Sequence, residues 1–118
     1  MIKNTFVLLS ILISTQSISA FAASHQSLSK FTLAPGEKKT IEVKSEKPTK
    51  VGFDNDLSME LAKSCKHSCV KMTPDKDSGY EMASAFGGAQ ELKPVKGNIQ
   101  VVFENVETFP IPVEVYKE

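Results

Sequence analysis

Apolar and polar residues alternate along most of the chain, in short runs that are separated by turn residues. The runs 31–33 and 41–43 alternate in this way, and Pro35-Gly36 lies at the centre of the turn between them. Alternation with a period of two is typical of half-buried β-strands, and a Pro-Gly turn between two such runs indicates a hairpin. We therefore predict that these two runs pair with each other.

The last third of the chain shows the clearest alternation. Apolar residues occupy every second position on both sides of a turn at 105–107, namely Ile99, Val101, Phe103, Phe109, Ile111, Val113 and Val115. These two runs predict a second hairpin. Pro110 and Pro112 remove N–H donors from one side of the final run, because residues two apart direct these groups to the same edge. The final run is therefore predicted to be an edge strand, and the protein a monomer at that edge.

Runs of this kind, with turn signals at regular intervals, predict an all-β fold. About seven short strands are expected, and the natural architecture is a small antiparallel two-layer β-sandwich, either immunoglobulin-like or jelly-roll-like. The segment 57–64 remains open. Leu57, Leu61 and Cys65 have helical spacing, whereas Leu57, Met59 and Leu61 alternate as they would in a strand. One short helix near 57–64 is therefore one of two alternatives.

The N-terminal segment has the features of an export signal. Lys3 precedes an apolar run at 6–13, which is followed by a polar stretch and by the small residues Ala20 and Ala22. This order is typical of a secretory signal peptide cleaved after Ala22, and the apolar run is too short to span a bilayer. The mature protein is expected in the periplasm or outside the cell, in oxidising surroundings.

The predicted division of the chain is a signal peptide at 1–22, a flexible lead-in at 23–29 and a single domain at 30–118.

The 118 residues include 14 basic and 14 acidic side chains, and loss of Lys3 with the signal leaves 13 against 14, a net charge of −1. Such a balance provides no basic surplus for a nucleic acid backbone. No nucleophile and base are evident as a pair, so we expect a non-catalytic binding or accessory domain that acts on a protein or cell-surface component.

Both cysteines of the chain lie in one short segment, Cys65-Lys66-His67-Ser68-Cys69. In an oxidising compartment two cysteines at this spacing are most simply a disulfide, which stabilises the fold by about 2 kcal/mol in the chain-entropy treatment. Residues four apart on a straight helix lie too far from each other for good disulfide geometry. A disulfide here therefore predicts a hairpin tip or an irregular loop.

The same segment also permits a copper site. Cys65, His67 and Cys69, with Met72 three residues further on, supply the thiolate, imidazole and thioether ligands that suit copper. The Cys-x3-Cys spacing resembles the ligand loops of the binuclear copper centre of respiratory oxidases and of copper-delivery proteins. The resemblance implies a periplasmic copper-handling protein that uses these four residues. After cleavage at Ala22, His25 would be the third residue and would complete a nitrogen set for copper.

One further segment suggests a contact surface. Phe86 lies between small residues, and Gly87-Gly88 follows it directly. The pattern is compatible with an exposed aromatic residue on a partner-binding loop formed by Phe86, Gly87 and Gly88. The alternative is that Phe86 closes one end of the sandwich as a core residue.

Overall fold

The computed structural model describes residues 26–118, which form eight β-strands and one short helix. The strands are β1 (Gln26–Leu33), β2 (Lys38–Lys44), β3 (Thr49–Asn55), β4 (Val70–Pro74), β5 (Met82–Ser84), β6 (Gly87–Leu92), β7 (Asn98–Asn105) and β8 (Ile111–Lys117). The helix α1 (Met59–Lys63) lies between β3 and β4. The predicted signal peptide at 1–22 and His25 lie outside the described residues.

The strands form two four-stranded antiparallel sheets, with the orders β1-β8-β3-β6 and β2-β7-β4-β5. The pairs are nested, because β1 pairs with β8, β2 with β7, β3 with β6 and β4 with β5. The chain therefore runs as one long antiparallel ribbon, wound so that β3 also meets β8 and β4 also meets β7. This arrangement is a jelly roll, and the predicted two-layer β-sandwich is confirmed.

The two predicted hairpins are wrong. The turn at 34–37 is present, with the N–H of Glu37 donating to the carbonyl of Ala34 at 2.9 Å and with Gly36 at a φ of 77°. It carries the chain from one sheet to the other, however, so β1 and β2 do not pair. The loop at 106–110 does the same between β7 and β8. A turn that joins two sheets connects the same kind of alternating strand as a turn within one sheet, so alternation does not distinguish them.

The final strand is also not the predicted edge strand, because β8 lies between β1 and β3. Pro112 is tolerated there for a local reason. In an antiparallel strand the N–H and the C=O of one residue point to the same side. The C=O of Pro112 accepts the N–H of Asp56 at 3.1 Å, so the N–H that proline lacks would point to Asp56, the residue that follows β3. Pro110 precedes β8 altogether. These two prolines therefore do not indicate that the protein is a monomer.

The core lies between the two sheets and consists of the inward positions of the strands. Phe53 and Phe103 are fully buried and meet edge to face, with ring centroids 5.6 Å apart. Burial of a large apolar side chain of this kind stabilises a fold by about 1.5–3 kcal/mol. The other fully buried apolar residues are Leu33, Val51, Cys69, Val70, Met72, Leu92, Ile99, Val101, Ile111 and Val115. Apolar side chains thus occupy the space between the sheets.

The segment 57–64, for which helix and strand were the two alternatives, contains the helix α1. Ser58 caps α1, since its Oγ accepts the N–H of Leu61 at 3.3 Å, and Ala62 is the buried residue of the helix. The predicted lead-in was too long, because residues 26–29 lie in β1. Within residues 26–118, no helix has the length and apolar character needed to cross a membrane.

Candidate functional site

The connections between strands gather at the two ends of the sandwich. The end that carries the cysteines, which we call the disulfide end, is formed by loops 34–37 and 106–110, segment 56–69 and turn 85–86. The opposite end is formed by loops 45–48, 75–81 and 93–97 together with the first residues of β1 and the last residues of β8.

The predicted disulfide joins Cys65 and Cys69, whose Cα atoms are 5.3 Å apart. The bond closes an irregular loop directly after α1, as the cysteine spacing predicted. Ser68 and Cys69 have φ values of 68° and 61°, so the chain turns through left-handed backbone before Val70 begins β4. Cys69 is fully buried and its carbonyl accepts the N–H of Val106 at 3.0 Å. This side of the loop is therefore fixed to the core.

A buried carboxylate holds the rest of the loop. Glu107 is only 8% exposed and accepts the backbone N–H groups of Lys66 at 3.0 Å, His67 at 2.6 Å and Cys69 at 3.3 Å. Burial alone would raise the pKa of Glu107, but these three donors lower it, so that the net shift is downward. The carboxylate is therefore ionised at neutral pH and fixes the backbone of 66–69.

Asn105 connects this network to the neighbouring loops. Its side chain is fully buried, and its Nδ2 donates to the carbonyls of Leu33 at 2.9 Å and Phe109 at 2.8 Å. Its Oδ1 accepts the N–H of Glu107 at 2.8 Å, and its backbone N–H donates to the carbonyl of Glu37 at 3.0 Å. One buried residue thus ties the β1–β2 loop to the β7–β8 loop and positions Glu107.

Phe86 lies in the turn between β5 and β6 and is 54% exposed, so the alternative in which it closes the sandwich end is wrong. The hydroxyl of Ser84 accepts the N–H groups of Phe86 at 3.3 Å and Gly87 at 3.0 Å. The N–H of Asn55 donates to the carbonyl of Phe86 at 3.1 Å, and its Nδ2 donates to the carbonyls of Ser84 and Ala85. The phenyl ring therefore lies on a turn that is fixed by hydrogen bonds to the hydroxyl of Ser84 and by hydrogen bonds from Asn55 at the end of β3.

The glycines of the predicted binding loop have a structural role. Gly87 has a φ of 123°, and a Cβ atom at this position would overlap the carbonyl oxygen of Phe53. Gly88 lies in β6, paired with Phe53. Gly87 therefore allows the turn to approach β3 closely, whereas a Cβ atom at Gly88 would meet the end of the Met82 side chain in β5. Of the three predicted residues, only Phe86 offers a side chain to a partner.

The helix α1 adds exposed apolar side chains at the same end of the molecule. Met59 is 62% exposed and Leu61 is 43% exposed. Together with Phe86 they make three of the four large apolar side chains that are exposed among residues 26–118, and the fourth, Tyr80, lies at the opposite end. The term disulfide-end surface denotes Met59, Leu61, Phe86 and the exposed segment 66–68.

The residues predicted as copper ligands do not come together as a set. Cys65 and Cys69 are bonded to each other, and His67 is exposed between them. Met72 is fully buried in the core of the sandwich. In the described part of the chain, no group of three or more His, Cys, Asp or Glu side chains is arranged to hold a metal ion. His25 lies outside that part, so its role stays a prediction.

The sequence did not single out Asn105 or Glu107, which organise the site. Asn105 could have been recognised from the sequence, because it occupies the next of the alternate, inward-facing positions that begin with Ile99, Val101 and Phe103. A polar residue in that phase indicates a buried amide that needs hydrogen-bond partners. Glu107 has no comparable signal, since a loop carboxylate that accepts backbone donors leaves no pattern in the sequence.

Comparisons with known proteins bear on the fold alone. The solution NMR structure of a de novo designed double-stranded β-helix is similar to this chain, with 14% sequence identity and a TM-score of 0.52. The match covers 76% of this chain and 96% of the designed chain. No protein-family model matches the sequence, and neither does any curated protein. Jelly rolls occur in capsid, lectin and cupin domains, so this fold does not by itself indicate a function.

Proposed function

We propose that the protein is an exported, non-catalytic binding or accessory domain, and that its disulfide-end surface contacts a protein or cell-surface component in the cell envelope or outside the cell. The observation that carries this proposal is the exposure of Phe86 on a turn held by Ser84 and Asn55. An aromatic residue on a rigid turn loses little conformational entropy when a partner covers it. Buried aromatic anchors of this kind dominate many interfaces.

The neighbouring loop supports the same interpretation. The backbone of 66–69 is held by Glu107 and by the disulfide, so the exposed side chains of Lys66 and His67 project from a fixed frame. The disulfide end therefore exposes apolar side chains as well as polar and charged ones, and protein interfaces contain both kinds. A surface organised before binding also reduces the entropy lost on association.

Two features support the proposed location. The N-terminal segment has the order of charged, apolar and small residues that is typical of an export signal. The bond between Cys65 and Cys69 is of the kind that persists in the periplasm or outside the cell. Periplasmic and fully secreted destinations remain alternatives within the proposal.

The chain offers a matched pair of variants for the test. Phe86→Ala removes the aromatic ring of the disulfide-end surface, whereas Tyr80→Ala removes a similarly exposed ring from the opposite end, where Tyr80 is 63% exposed. Each mature protein is immobilised and incubated with envelope and secreted fractions, and bound components are quantified by mass spectrometry. Thermal unfolding of both variants establishes that they fold like the parent.

We expect a specific component to be retained by the parent and by Tyr80→Ala, and to bind Phe86→Ala at least about tenfold more weakly, as for a typical hot-spot residue. Equal retention by all three proteins would show that Phe86 is not the contact. Failure to retain any component would contradict the binding role itself.

A further inference from the structure

A concave surface lies at the opposite end of the sandwich from the disulfide. It is a cleft of about 580 Å³ between the β2–β3 loop and the end of β8, lined by Lys44, Glu46, Lys47, Thr49 and Lys117. Three of its five lining residues are lysines: Lys44 and Lys47 lie at the end of β2 and in the loop after it, and Lys117 lies at the end of β8. The fold therefore brings a lysine from the last strand beside two lysines of the β2–β3 connection.

The lysines of this cleft have no carboxylate partner. Among residues 26–118, the lysines at ion-pair distance from a carboxylate are Lys30, Lys50 and Lys71. Glu46 lines the cleft but forms an ion pair with none of its lysines. Three cationic side chains and one carboxylate, none of them in an ion pair, leave a local excess of positive charge that favours an anionic ligand.

The neighbouring loop adds to the charge. Strand register places Thr49 opposite Leu92 and Lys44 opposite Asn98. The β6–β7 loop, which begins after Leu92 and ends before Asn98, therefore runs beside the β2–β3 loop. It contributes two further exposed lysines, Lys93 and Lys96. The positive region extends in this way beyond the cleft itself.

The backbone around the cleft is held in place. The hydroxyls of Ser45 and Thr49 both donate to the carbonyl of Lys47, at 2.8 Å and 2.9 Å. At the other wall, the N–H of Glu118 donates to the carbonyl of Lys50 at 3.0 Å, and the two side chains form an ion pair at 3.2 Å. The Cα positions of the three cleft lysines are thus fixed, although their side chains are long.

We infer that this cleft binds a ligand with clustered phosphate groups. Lysine ammonium groups act as point charges that satisfy phosphate oxygens without a fixed geometry. The chain contains no arginine, so the planar two-bond recognition that would select a single carboxylate is absent from the cleft. The recognised property is therefore charge density, which phosphate supplies either as a free polyphosphate or as the headgroup of an anionic phospholipid. This inference does not depend on the proposed function of the disulfide-end surface.

Two probes distinguish the two sources of phosphate. Sodium tripolyphosphate is titrated into the mature protein by calorimetry at an ionic strength of about 20 mM, where screening is weak. In parallel, vesicles of phosphatidylcholine with and without phosphatidylglycerol are tested by sedimentation. Binding of tripolyphosphate alone identifies a soluble ligand, and binding of phosphatidylglycerol vesicles identifies a headgroup. Binding to neither probe would overturn the inference.

Substitutions localise the site. The triple variant Lys44→Gln, Lys47→Gln and Lys117→Gln should bind the effective probe at least about tenfold more weakly, since each surface charge contact changes affinity by a small factor. The matched control removes the same charge at the disulfide end from three exposed lysines that form no ion pair, with Lys38→Gln, Lys39→Gln and Lys63→Gln, and should bind like the parent.

A gain of affinity provides an independent test. Glu46 is the one carboxylate that lines the cleft, so Glu46→Gln should strengthen binding by about twofold to fivefold. Equal weakening by the two triple variants would show that only net charge matters, and would overturn the assignment to this cleft. An unchanged affinity of the cleft triple variant would do the same.

Discussion

Replacement of Glu107 by Gln removes the charge at the centre of the disulfide-end network while keeping the shape of the side chain. Oε1 of Glu107 accepts the N–H of Lys66, and Oε2 accepts those of His67 and Cys69. In Glu107→Gln one of the two oxygens becomes an NH2 donor. Whichever way the amide is turned, this donor faces at least one backbone N–H, which then has no acceptor.

The expected loss of stability follows from these contacts. A hydrogen bond to a charged group contributes about 1.5–3 kcal/mol, and Lys66 and His67 are exposed enough for water to replace part of what is lost. We therefore expect Glu107→Gln to lower the free energy of unfolding by about 2 kcal/mol. For a domain of this size the melting temperature should fall by about 8–16 °C.

The matched control is Glu104→Gln. Glu104 lies three residues earlier, in β7, and its side chain has no hydrogen bond or ion pair within the described part of the chain. Its replacement should change stability by less than about 0.5 kcal/mol. Urea unfolding at neutral pH, followed by circular dichroism, measures both variants against the parent.

The pH dependence gives a second criterion. The folded state lowers the pKa of Glu107, so its contribution to stability is complete above the ordinary glutamate value of about 4.3 and is lost as the pH falls through the folded-state pKa. The difference between the parent and Glu107→Gln should therefore close in this acidic range. Equal stability of Glu107→Gln and Glu104→Gln at neutral pH, or a difference that persists unchanged into strong acid, would refute the role of the carboxylate.

Two further predictions concern the turn and the disulfide. Gly87→Ala should lower the free energy of unfolding by more than about 3 kcal/mol, because the new Cβ meets the carbonyl of Phe53, whereas Gly97→Ala has open space and should lose only about 1 kcal/mol. Equal losses in urea unfolding would contradict the close approach at Gly87. The exported protein should have the mass of residues 23–118 less two hydrogens under non-reducing conditions, and free thiols would contradict the bond. Replacing Cys65 and Cys69 together by Ser should lower stability by about 2 kcal/mol.

Alternation predicted the strands because burial of one face is a local property of a strand. The inward residues of β7 and β8 are buried at every second position, as their apolar phase predicted. Pairing is a different property, because β1 and β8 lie at opposite ends of the described chain and yet pair along their length. The apolar character of an inward-facing side chain does not indicate which strand lies beside it. The nested order therefore had to come from the structure.

The candidate site was predictable only where its residue types are unusual. Two cysteines in one segment, and one aromatic residue beside two glycines, stand out in any sequence. The residues that fix the geometry, Asn105 and Glu107, are ordinary polar residues at a predicted turn. Their importance arises from the approach of segments that are distant in sequence, since Glu107 accepts N–H groups of segment 66–69 and Asn105 donates to the carbonyl of Leu33.

Net charge likewise does not predict how charge is distributed on the surface, because it is summed over residues that the fold separates. A balance of 13 basic and 14 acidic residues in the mature chain argues against nonspecific binding of a long polyanion. It does not limit the local potential, which depends on which side chains share one surface and which of them are neutralised. Lys117 comes from the last strand, and winding of the ribbon brings it beside Lys44 and Lys47. A chain of nearly zero net charge can therefore place three lysines that form no ion pair around one concave surface.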